Sequence, residues 1–77
     1  MMTPAQCRAA RALLDWSQQQ LSEAANVGNA TIRNFESGKS SPQNATLAVL
    51  MNAFENAGVI FVAENGEGPG VRLRKER

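Results

Sequence analysis

The chain contains no histidine. That removes the commonest general base and the commonest metal ligand. It has one cysteine, Cys7. No internal disulfide can form, and a disulfide-dense secreted scaffold is excluded. A lone cysteine cannot make a zinc site, so neither metal nor cofactor is expected. No apolar run is long enough to cross a bilayer. The opening Met1-Met2-Thr3-Pro4 lacks the basic-then-apolar form of a signal peptide. A cytoplasmic location without membrane contact is expected. Asp15 and the scattered glutamates form no paired-carboxylate site for hydrolysis. With no clustered nucleophile and no phosphate loop, the chain is not expected to be an enzyme.

What remains is enough for one small domain. The 77 residues are 43% apolar, which permits a modest core, and a partner subunit is the natural source of extra stability at this size. The net charge is only +1. Arg72, Arg74, Lys75 and Arg77 crowd the end of the chain, and this tail is read as a solvated face. Elsewhere cations are few. Amides and hydroxyls must then do much of any phosphate positioning.

The pattern predicts four helices followed by a hairpin. Thr3, Pro4 and Gln6 form a helix start with a capping box. The first helix runs to about Leu14, with Cys7, Ala10 and Leu14 on its apolar face. Arg11 falls on that face too. Ser17 and Gln20 form a second capping box, opening a helix that runs to about Ala25. Leu21, Ala24 and Ala25 face inward there, with Trp16 just before the cap. Asn26, which tolerates a left-handed backbone, makes a tight turn. The third helix spans about Asn29 to Ser37, with Ile32 and Phe35 inward and Gly38 as its end. Asn44 is expected to cap the fourth helix, whose inward face is Leu47, Leu50, Met51 and Phe54, ending at Gly58. Val59 to Ala63 then reads as a strand, Glu64 to Gly70 as a turn, and Val71 to Arg74 as a second strand.

Two short helices joined by a three-residue turn make a helix-turn-helix over about residues 17–37. Leu21, Ser22, Ala25, Val27, Ile32 and Phe35 supply its shared core. Asn29, Ala30, Arg33 and Asn34 are left on a polar outer face. Asparagine suits an adenine edge, arginine a guanine, and a methyl group a thymine, so these four are the candidate base-reading residues of a major-groove helix. Ser17, Gln18, Thr31, Ser37, Lys39 and Ser41 are the candidate phosphate contacts, Gln18 through the start of the second helix.

The run from Leu21 to Lys39, with Trp16-Ser17-Gln18 before it, resembles the signature of the Xre/Cro, lambda-repressor-like family. The likeness covers about Ala5 to Val59. It implies a mainly α, four- to five-helix domain that binds double-stranded operator DNA, usually as a homodimer and usually as a repressor. Two positions depart from the pattern. Asn26 stands where a turn glycine is usual, and Gly28 stands where serine or threonine usually caps the third helix; glycine there costs little. The resemblance also accounts for Arg11, which in such proteins pairs with the glutamate after the recognition helix. Here that implies a buried Arg11–Glu36 brace.

Many relatives end in a fifth helix, whereas this chain ends in strands. Residues 1–58 are expected to form the DNA-binding domain and residues 59–77 a strand or hairpin with a basic tail that builds the dimer. Val59, Ile60, Phe61, Val62, Val71 and Leu73 are the candidate dimerisation residues, since an edge strand invites pairing. A hairpin folded onto its own helices is the alternative. An antitoxin-like module that covers a toxin through its C-terminal segment, while binding its own promoter, is the competing functional reading. Cys7 and Trp16 are expected to be core residues.

Overall fold

The computed structural model describes residues 1–75; Arg77 of the basic tail lies outside the described residues. Four helices lead into one hairpin: α1 (Pro4–Leu14), α2 (Gln18–Ala25), α3 (Asn29–Glu36), α4 (Asn44–Asn56), β1 (Val59–Val62) and β2 (Gly70–Leu73).

Both predicted capping boxes form. The Thr3 side chain accepts from the Gln6 N–H while the Gln6 side chain accepts from the Thr3 N–H, and Ser17 and Gln20 do the same for α2. Asn26 sits at φ 56°, ψ 45°, the left-handed turn its short side chain tolerates. Gly38 takes φ 78° and closes α3 with a Schellman pair, Gly38 N–H to Phe35 carbonyl and Lys39 N–H to Asn34 carbonyl.

Four expectations need correction. The cap of α4 is Gln43, not Asn44. The Leu47 N–H already donates to the Gln43 carbonyl, so Asn44 is the first residue inside the helix, its side chain exposed. Ala24 is exposed, not inward, because Leu21 and Ala25, one turn apart, fill the narrow buried stripe of a two-turn helix. Helix α3 ends at Glu36, with Ser37 as its cap. The strands pair one residue earlier than expected at the turn end, with Val62 opposite Gly70. The loop there is closed by the Glu64 carboxylate, which accepts from the Gly66 and Gly68 amides.

The core runs through every element. Cys7, Ala10, Leu21, Ile32, Leu50 and Phe54 are fully buried. Trp16 stacks on Phe54 at 5.9 Å, and Phe61 meets Phe54 edge-on at 6.0 Å. The antiparallel hairpin pairs within the chain and lies across α1 and α4. Val59 is buried in the core, and Phe61 and Val71 pack against it. A further link joins the hairpin to α1. Gln6 Nε2 donates to the Gly70 carbonyl at 3.0 Å and to the Val62 carbonyl at 3.4 Å, so one buried side chain both caps a helix and holds the turn end of the sheet.

Candidate nucleic-acid interface

The α2–turn–α3 unit is fixed from inside and from its turn. Ile32 and Phe35 anchor α3 in the core. Across the turn, Ser22 Oγ donates to the Val27 carbonyl at 2.5 Å and the Val27 N–H donates to the Ser22 carbonyl at 3.2 Å. The small Ser22 therefore lets the chain cross close by and also ties the turn. No side chain caps Gly28.

With one face held, the other is left to solvent. Ala30, Thr31 and Arg33 are exposed, and Asn29 and Asn34 are half-buried. The hairpin lies on α1 and α4, away from this surface. All four candidate base-reading residues thus stay on the uncovered side of α3.

The Arg11–Glu36 brace is present. Arg11 Nε reaches Glu36 Oε2 at 2.7 Å and Arg11 Nη2 reaches Oε1 at 2.8 Å, a two-point fork. The glutamate is 3% exposed and the arginine 20%. Arg11 Nη1 also donates to the Trp16 carbonyl. Two further donors complete the carboxylate: Gln18 Nε2 on Oε1 at 3.0 Å and the Cys7 thiol on Oε2 at 3.1 Å. Burial alone would raise the Glu36 pKa; the hydrogen bonds from Arg11, Gln18 and Cys7, with the guanidinium charge, outweigh it and hold the carboxyl below its usual value of 4.5. The Cys7 thiol is pushed strongly upward, first by burial and then by its bond to Glu36.

The brace reaches one of the candidate phosphate residues, Gln18. By binding Glu36, Gln18 ties the start of α2 to the end of α3. Gln18 thereby meets Glu36, the residue before Ser37; Ser17, Ser37, Lys39 and Ser41 are exposed and Gln18 is half-buried. The Gln18 side-chain amide is engaged by Glu36, so the helix-terminal N–H groups are the freer anion donors there. The Ser17 hydroxyl accepts from Gln20 N–H, and Ser37 Oγ donates to the Asn34 carbonyl. Thr31 is exposed within α3.

Sequence reasoning missed two residues at this surface. Arg8 donates to the Glu36 carbonyl, placing a second cation at the end of α3; its spacing three residues before Arg11 was the available signal. Gln19 accepts from Asn29, and nothing in the sequence set it apart from its neighbouring glutamines.

Among the described residues no three histidine, cysteine, aspartate or glutamate side chains cluster as metal ligands, and no helix is long and apolar enough to cross a membrane. A search of curated proteins found no match. The family described as helix-turn-helix matches residues 8–56, a stretch that contains the brace and all of α2 and α3. Its fold, turn and exposed polar helix agree with that match, and the chain belongs to the helix-turn-helix family of Xre and lambda-repressor-like DNA-binding regulators.

Proposed function

We propose that this DNA-binding protein is a sequence-specific transcriptional repressor that grips an inverted repeat as a homodimer. Each subunit sets α3 in a major groove, with Asn29, Ala30, Arg33 and Asn34 toward base edges. Ser17, Gln18, Thr31, Ser37, Lys39 and Ser41 meet the phosphates. The single observation carrying this reading is the outer face of α3, polar and uncovered while its inner face is locked in the core. Repression follows from occupancy: a bound dimer excludes other proteins from the same DNA.

Residues 1–58 act as the DNA-binding unit and residues 59–77 carry the dimer contact. Val59, Phe61 and Val71 serve their own subunit's core. The dimer contact therefore falls to Ile60 and Val62, on the opposite face of the hairpin by strand alternation. Leu73, paired with Val59 and so on the core-facing side, adds to it only at the strand's end, where it is 45% exposed. A two-fold pair would set the recognition helices about 34 Å apart.

Selection of bound sites from random DNA, with the molar mass of the free protein in solution, tests the whole reading. An inverted repeat with half-site centres about 10 base pairs apart and a mass of two chains are expected. Equal binding to selected and random DNA overturns it. The exposed run Arg72, Leu73, Arg74 and Lys75 is what favours the antitoxin-like reading, which predicts a second, acidic protein retained on purification.

A further inference from the structure

A chain of four polar side chains crosses from α3 to α2 on the exposed side of the motif. Arg33 Nη1 donates to Asn29 Oδ1 at 3.4 Å, Asn29 Nδ2 donates to Gln19 Oε1 at 3.1 Å, and Gln19 Nε2 donates to Glu23 Oε2 at 3.2 Å. We propose that Gln19 and Glu23 are positioning residues for DNA reading, which fix the direction in which the Asn29 amide meets a base. The proposal rests on the reading that α3 enters the major groove.

The ends of the chain have only one option each. An ionised carboxylate can only accept, and a guanidinium can only donate. Between them stand two amides, each able to face either way. Glu23 obliges Gln19 to offer its N–H₂ downward, which leaves the Gln19 carbonyl for Asn29. Asn29 must then turn its N–H₂ to Gln19 and its carbonyl to Arg33. Turning the Asn29 amide over would set donor against donor at Arg33 and acceptor against acceptor at Gln19. The spacing supports this arrangement: Gln19 and Glu23, like Asn29 and Arg33, are four apart and share a helix face. Each amide keeps capacity for DNA, because an N–H₂ has a second hydrogen and a carbonyl a second lone pair.

Direction matters to a base. Adenine offers a donor at N6 and an acceptor at N7, and an asparagine pairs with both only when its carbonyl and N–H₂ face the matching atoms. Of the two ends, Arg33 holds Asn29 through the longest bond, 3.4 Å against 3.1 and 3.2 Å on the Glu23 side. That bond is released when Arg33 turns to a base. A glutamate on α2 then sets the base preference of an asparagine on α3.

The test compares selection profiles of the full chain and its variants. Asn29→Ala identifies the base pair that Asn29 reads, as the position where preference vanishes. Glu23→Gln keeps the side-chain length but removes the obligate acceptor. It should raise affinity for all sequences alike, through the lost negative charge, while discrimination at the Asn29 base pair alone falls about tenfold. The exchange Gln19→Glu with Glu23→Gln restores an acceptor beside Asn29 at unchanged net charge, and should recover that discrimination. A profile in which Glu23→Gln leaves discrimination at the Asn29 base pair unchanged overturns the proposal, as does failure of the exchange to recover it. Wild-type protein that selects no site overturns the groove reading beneath it, a separate and recognisable result.

Discussion

A carboxylate offers about four lone-pair sites, and Glu36 fills them with two nitrogens of Arg11, the Gln18 amide and the Cys7 thiol. Removing one partner of such a buried pair leaves an uncompensated charge. Arg11→Ala should cost about 3–5 kcal/mol, a large share of the roughly 5–15 kcal/mol that holds a small domain together, as measured by urea denaturation. The pH dependence follows from the sign of the Glu36 shift. Its pKa is lowered on folding, so its contribution to stability is full above the usual value of 4.5 and is lost as pH falls through that value and on through the folded one. Denaturation midpoints followed from pH 7 to pH 3 should show this acid loss. In Arg11→Ala that limb of the curve should shrink, because the difference between folded and unfolded carboxyl is reduced. Cys7, fully buried and with its pKa raised by burial and by Glu36, should react with thiol reagents only as fast as the protein unfolds.

At the scale of elements, the two departures from the family pattern behave differently. Asn26 holds the left-handed turn at φ 56°. Asn26→Ala should therefore destabilise by about 1 kcal/mol, and Asn26→Gly should not. Gly28 has an ordinary backbone, φ −58° and ψ 141°, and an added Cβ would meet only Thr31 Oγ1 at 3.9 Å. Glycine is thus not required there. Gly28→Ser would supply the missing cap of α3 and reduce unfolded-state freedom, raising stability by about 0.5–1 kcal/mol in thermal unfolding. The helix boundaries were legible because caps and apolar spacing are local. The Gln43 cap was not, since asparagine is a favoured capping residue and glutamine is not. The Gln43 side chain makes no capping bond, and only the Leu47 N–H on the Gln43 carbonyl marks the start of the helix.

Across the whole molecule, the hairpin closes the fold. Val59 is 1% exposed and sits in the same core as Phe54 and Leu50. Gln6 links the far end of the sheet to α1 over a sequence separation of 64 residues. Gln6→Glu keeps an acceptor for the Thr3 cap but cannot donate to the Gly70 and Val62 carbonyls. It should destabilise by about 1–3 kcal/mol, with amide hydrogen exchange rising first in β1 and β2. An unchanged exchange pattern in the hairpin would show that the link is idle.

The sequence by itself determined the four helices, the left-handed turn at Asn26, the inward Ile32 and Phe35, and the polar outer face of α3, because each follows from spacing and cap chemistry within a few residues. The Arg11–Glu36 pairing came from a family likeness, not from spacing. Only the tertiary structure decided what else reaches Glu36, which side chains the hairpin gives to its own core, and that Gln6 and Gln19 differ from ordinary helix formers. Those depend on segments far apart in the chain meeting in space, and a side chain's hydrogen-bond partner across such a distance leaves no periodic trace.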